Sequence, residues 1–347
     1  MAAKQNTGSP VIAIRNAGFQ WPVLDPFLFC AHHLDSYPRG NGRLGPEASL
    51  SGRNIGNDFQ GKDGWRMYHG QQVPGFPAHP HRGFETVTIT LNGLIDHFDS
   101  HGGAGRYGNG DVQWMTAGKG IQHAEMFPLT RTDEPNTLEL FQVWLNLPAK
   151  SKMVSPYYAM HWNEDIPVYL HKDKQGKKTE VKIIAGRAGG ISALSPAPDS
   201  WAADPGHEVA ILLIHQHAGA VWTLPAAGTG TGRMLFLFRG GPVLAGDTML
   251  NSGQAAQLAS EQEVRLENQG EESYFLYLQG RPVQEPVYQY GPFVMNSEEE
   301  IRQTFEEFRR TSFGGWPWPS AEPAHPAGQE RFASYSDGRK EYPGKKG

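Results

Sequence analysis

The chain has 347 residues, among them 42 glycines and 26 prolines, and a net charge of −5 from 31 basic and 36 acidic side chains. Glycine and proline make up roughly a fifth of it, against a usual share of about 12%; this excludes a helical bundle and points to short strands and tight turns. Cys30 is the single cysteine, which excludes an intramolecular disulfide and any multi-cysteine zinc or iron–sulfur site.

Hydrophobic residues, 38% of the chain, fall in patterned clusters that permit a core, and the length predicts two domains. The two signs of charge are interspersed, so no basic stripe exists to meet nucleic acid directly. The opening MAAKQNTGSP lacks the apolar stretch of a secretory signal. No run approaches the 18 or so apolar residues of a membrane span. The expectation is a cytoplasmic globular protein with oxygen and nitrogen ligands for any metal. Cys30 reads as a small buried hydrophobe.

In ETVTITL, from Glu85, Val87, Ile89 and Leu91 alternate with threonines, which predicts a half-buried strand. Asn92-Gly93 predicts a two-residue hairpin with LIDHFDS as its return strand. After the turn-rich HGGAGRYGNGD come VQWMTAG and the long apolar LELFQVWLNLP. Four such strands suggest a small antiparallel barrel or sandwich. HKDKQGKKTE and VKIIAGRAGG then form a connection to a second strand-rich region from Glu208: EVAILLIHQH, GRMLFLFRGG, PVLAGDTMLN, AAQLAS, EVRLEN and SYFLYLQG. Within it, GTGTG at 228–232 lacks the strand-to-helix setting of a phosphate loop and reads as a hairpin loop.

SEEEIRQTFEEFRR predicts one long helix. Ser297 and Glu300 make a capping box, Ile301, Phe305 and Phe308 mark its buried face, and its acidic start and basic end suit the helix dipole. From Ala321 the chain is expected to lack a core of its own.

Of the 14 histidines, His79 and His81 in FPAHPHRGFE and His123 with Glu125 in KGIQHAEM stand out. A spacing of i, i+2 on extended chain places both side chains on one face. Two facing pairs can present three imidazoles and a carboxylate to one ion, leaving open positions in an octahedral shell. Neither pair carries weight alone: His215 with His217, and His33/Asp35, His97/Asp99 and His171/Asp173, have the same spacing. What distinguishes the first two is their shared β-unit, with glycines at 75, 110, 118 and 120 where backbones must bend. His69 and Phe76-Pro77 lie just before the His79 strand, as pocket lining or as loop packing.

The series Gly75, His79, His81, Glu85, Gly93, followed by GDVQWMTAGKGIQHAE at 110–125, resembles the two cupin motifs in their pirin form. HPHRGFETVT, FQVWLNLPAK and YQYGPFVMN are similar to pirin signatures, and the resemblance runs from about Pro26 to Phe313. It implies an all-β bicupin, two antiparallel jelly-roll barrels face to face, with a C-terminal helix. The expected division is a metal-binding domain at 1–175, a metal-free domain with the terminal helix at 176–313, and a Pro/Gly-rich tail at 314–347. Carried over residue by residue, the resemblance implies one Fe(II) per chain, held by His79, His81, His123 and Glu125, with Glu85 outside the ligand set. Mn, Ni, Co or Zn suit the same ligand types. No histidine lies between His217 and His325, so His215 and His217 are assigned to packing or solvent contact.

The resemblance implies a dioxygenase that cleaves flavonols such as quercetin with O2, releasing carbon monoxide and a depside, with Glu125 as the natural general base. The alternative is an iron-dependent regulator that binds protein partners, transcription factors or metabolic enzymes, without turnover; that reading extends to the nucleus in a eukaryote. A third keeps the site but assigns isomerase or hydrolase chemistry to another metal.

Overall fold

The computed structural model describes residues 8–344, so most of the opening segment read above for a targeting signal lies outside the described residues. The chain divides into two compact units, one of Ala31–Asp165 with residues from Glu285 onward, the other of residues up to Cys30 with Ile166–Gln284. This differs from the linear division at 175 and 313. The helix and the tail belong to the first unit, and the N-terminal strand β1 (Val11–Asn16) pairs within the second. Among the described residues no helix is long and apolar enough to cross a membrane.

The first unit holds β2 (Phe27–Tyr37), β3 (Gly75–His81), β4 (Phe84–Asn92), β5 (Leu94–Asp99), β6 (Ala104–Gly108), β7 (Val112–Thr116), β8 (Ile121–Met126), β9 (Asn136–Asn146) and β10 (Tyr157–His161). One sheet runs β10-β7-β4-β9-β2. The other runs from β3 through β8, β5 and β6 to two short tail strands, Phe332–Ser334 and Lys340–Glu341. Strand β4 is central in its sheet and buried on both faces, not half-buried: Val87 and Ile89 are buried, and so are Thr86, Thr88 and Thr90. Its polar face turns to a polar interior, where water is replaced by side-chain partners. Asn92-Gly93 is not a hairpin either. Strand β4 pairs with β7 and β9, and β5 with β6 and β8, so the turn carries the chain from one sheet to the other. Gly93 is needed there: its φ is 87°, and a Cβ would meet Thr137 O at 2.8 Å.

The helix α1 (Glu298–Thr311) starts at the expected cap, the Ser297 Oγ accepting from the Glu300 N–H at 3.2 Å. Ile301, Phe305 and Phe308 pack against Phe293, Met295 and Phe313. The tail is better anchored than its composition suggests. The buried Arg106 guanidinium donates to both oxygens of buried Asp96, at 2.6 and 2.7 Å, and to the carbonyls of His325, Pro326 and Gln329. Phe332–Ser334 then adds to the β6 edge, with Ala333 buried.

The second unit is one antiparallel nine-stranded sheet including β11 (Val168–Lys172) and β12 (Lys178–Ala185). The lysine-rich connection is thus the β11–β12 hairpin of this sheet. Runs that read as separate strands are continuous: Gly232–Ala245 has 14 residues and Val264–Gly280 has 17. Register shifts between Leu237 and Val243 bend the pair, wrapping it around a core that includes Leu212, Leu235, Leu266 and Phe275. Neither unit is a closed barrel; the jelly-roll bicupin fold fits both. The GTGTG loop wraps a carboxylate of its own chain, the Gly228 N–H and Thr231 hydroxyl donating to Glu208. Cys30 is buried, and burial pushes its thiol well above the ordinary range.

Removing one partner of a buried ion pair leaves an uncompensated charge, at a cost of about 3–5 kcal/mol. Arg106→Leu is therefore expected to lower stability by about that amount, measured by urea unfolding. Asp96→Asn/Arg106→Leu together should recover part of the loss.

Candidate metal centre

The site rests on the antiparallel pairing of β3 with β8. The register sets His79 opposite His123 and Phe76 opposite Glu125. Strand alternation then brings His81 onto the face of His79, and Glu125 onto the face of His123. The backbones approach closely at Gly75, whose φ is 134° and where a Cβ would lie 2.8 Å from the Met126 Cα.

The three imidazoles converge. Ring centroids are 4.4 Å apart for His79 and His123, 4.7 Å for His79 and His81, and 4.9 Å for His81 and His123. One nitrogen from each lies within 4.8 Å of the others. His79 Nδ1 is 2.8 Å from the Pro77 carbonyl and His81 Nδ1 is 3.4 Å from that of Pro292. Donation to these carbonyls leaves both Nε2 lone pairs free. Burial drives the His79 pKa down to about 4 and holds those of His81 and His123 well below the ordinary imidazole value. All three are neutral at pH 7, the state that ligates metal.

His123 is the test of fit. It is fully buried, and neither ring nitrogen has a hydrogen-bond partner. A buried polar group left this way costs roughly 1–3 kcal/mol, and a cation at the convergence point removes the deficit. Glu125 lies beside it, with Oε2 3.9 Å from His123 Nε2. Thr88 Oγ1 donates to Glu125 Oε1 at 3.1 Å, Tyr107 donates to the same oxygen at 3.4 Å, and Gln142 Nε2 donates to Oε2 at 2.8 Å. Burial raises the proton affinity of the Glu125 carboxyl, a push that His97 and these three donors oppose without cancelling.

Other candidates fall elsewhere. Glu85 sits on the facing sheet and accepts from Thr116 Oγ1 at 2.7 Å. His69 contacts the Gly56 carbonyl, and Phe76 packs on Tyr68 and Phe127. His33 and Asp35 join Tyr68 in a buried hydrogen-bond chain. His97, whose spacing to Asp99 does not single it out in the sequence, stands against the site: it meets Asp99 at 3.3 Å, and its ring is 5.7 Å from that of His123. Thr88, Tyr107 and Gln142 went unread because a residue that supports a ligand carries no spacing signature. Tyr107 was further masked by the glycines around it.

A jelly roll with a buried His/Glu cluster on two paired strands defines a cupin-type, metal-binding site. The chain belongs to the pirin family. The family profile "Pirin" matches residues 54–145, and "Pirin C-terminal cupin domain" matches 211–314. A Pseudomonas aeruginosa protein provisionally named quercetin 2,3-dioxygenase is 39% identical over 249 residues, covering 70% of this chain and 80% of that one. Human pirin is 35% identical over 263 residues, covering 71% and 80%. The crystal structure of quercetin 2,3-dioxygenase from Acinetobacter baumannii superposes with a TM-score of 0.70 at 27% identity, covering 89% of this chain and 99% of that one.

Because its Cβ collides with the β8 backbone, Gly75→Val should separate the two strands. The expected outcome is a stability loss of about 2–3 kcal/mol by thermal unfolding, together with loss of bound metal by elemental analysis. Wild-type metal content in a destabilised variant would show that the strand pairing does not control the site.

Proposed function

We propose that the protein is an iron-dependent dioxygenase that cleaves flavonols such as quercetin, with His79, His81, His123 and Glu125 holding the metal. The observation that carries this reading is the convergence of three neutral imidazoles, one without any hydrogen-bond partner, beside a buried carboxylate. The names of two relatives supply the substrate class.

Bound iron supplies Lewis acidity toward the flavonol 3-hydroxyl and a route for electrons to O2. The chain does the rest. Carbonyl contacts at Pro77 and Pro292 orient His79 and His81, fixing the tautomer that points Nε2 inward. Glu125 accepts the hydroxyl proton, burial having raised the proton affinity of its carboxylate. Thr88, Tyr107 and Gln142 keep the carboxylate oriented while it does so.

Iron-loaded protein is expected to consume O2 with quercetin and to release carbon monoxide. His81→Ala should lose both metal and turnover. Glu125→Gln should lower turnover by about 10²-fold or more, with a smaller loss of metal; unchanged kinetics would remove the base from the mechanism. Metal analysis of protein purified without chelator or nickel resin distinguishes iron from Mn, Ni, Co and Zn. Absence of flavonol turnover with every one of these metals would overturn the assignment and favour the partner-binding regulator.

A further inference from the structure

The histidine pair of the second unit was expected to serve packing or solvent contact. Its surroundings point to more. The strand Ala210–Gln216 lies between β12 and Val264–Gly280, with His215 opposite Glu180 on one side and Tyr274 on the other. His217 follows two residues on, its N–H donating to the Lys178 carbonyl at 3.0 Å. Glu272 lies two residues from Tyr274 on the third strand. Leu212 and Ile214, of opposite parity, face the core. Two imidazoles and two carboxylates from three adjacent strands thus share the outer face of the sheet.

We propose that His215, His217 and Glu272 form a second divalent-cation site, suited to zinc or a similar borderline ion, which clips the strand Ala210–Gln216 to Val264–Gly280, with Glu180 orienting the two imidazoles from behind. His215 Nε2 is 3.1 Å from Glu272 Oε2, and His215 Nδ1 is 3.9 Å from Glu180 Oε2. His217 Nδ1 is 3.6 Å from Glu272 Oε1, so one nitrogen of each ring meets Glu272, and Glu180 stands behind the rings with its Oε1 3.7 Å from His217 Nε2. Ligands about 2.1 Å from a tetrahedral zinc lie about 3.4 Å from one another, so small side-chain rotations suffice. Most of these separations are too long for hydrogen bonds. His217 Nε2 is shielded from solvent and has no hydrogen-bond partner.

One further residue orients the set. Tyr274 stacks on His215, with centroids 4.4 Å apart and planes 6° apart, and its hydroxyl donates to Glu272 Oε2 at 3.1 Å. It holds an imidazole and a carboxylate in register, as supporting residues of metal sites do. The competing account, imidazolium–carboxylate ion pairs, gains little on a surface this open to water.

The test uses full-length, metal-depleted protein and Zn2+ as the probe. The wild type should bind two equivalents by equilibrium dialysis, and His81→Ala should retain the surface ion. In the His81→Ala background Zn2+ should raise Tm, and adding His215→Ala and His217→Ala should abolish both that rise and the binding. Glu272→Gln provides an independent exposed variant, with circular dichroism verifying its fold. Tyr274→Phe should weaken this ion about tenfold or more and leave the other unaffected. Failure of His81→Ala to bind Zn2+, or retention of the Tm rise without His215 and His217, would overturn the proposal.

Discussion

The register of β3 against β8 is the constraint on which the metal centre depends. Side chains two residues apart on a strand share a face, but two strands share a site only when their registers agree. Here His79 faces His123, which brings the three imidazoles together with Glu125 beside His123. A slip of β3 by one residue would send His79 and His81 to the face opposite His123 and Glu125. The residues that enforce the register are mostly not ligands. Close backbone approach at Gly75 and the β5–β8 pairing on the other side of β8 hold it in place.

The second sheet completes what the first begins. Thr88 on β4 and Gln142 on β9 reach across to Glu125, which is why β4 needs polar residues on a face that never meets water. A threonine-rich strand is therefore consistent with burial on both sides when one side is a polar site. The same donors keep the carboxylate in place against the cost of burying it, since each satisfies an oxygen lone pair that desolvation would otherwise leave bare. Fold and chemistry are coupled here through two hydrogen bonds from the facing sheet.

Much of this was legible in the chain. The strands around Glu85, Leu94, Val112 and Leu138 follow from alternation, and the α1 start follows from Ser297 and Glu300. The His-x-His and His-x-Glu pairs were visible because their spacing matches the strand period. What escaped was long-range. The partner of a strand cannot be read from its own residues, so Asn92-Gly93 looked like a hairpin although β4 and β5 belong to different sheets. The tail strands are only three and two residues long, too short for any periodic signal, and their anchor is the buried Arg106, 219 to 223 residues from the carbonyls it holds. Supporting residues such as Tyr107 are likewise defined by what they touch.

The two units also show how strand parity decides what a His-x-His pair can do. In the first, His79 and His81 project toward the facing sheet, among buried groups that neutralise them and supply a carboxylate. In the second, Leu212 and Ile214 occupy the inward positions, so His215 necessarily points outward with Glu180 and Glu272 as its neighbours. An interior pair is desolvated and preorganised, which suits chemistry on a substrate. An outward pair loses little solvation and faces a carboxylate on the neighbouring strand, which suits a structural ion. Identical spacing therefore yields different chemistry, and the residue one place along the strand decides which.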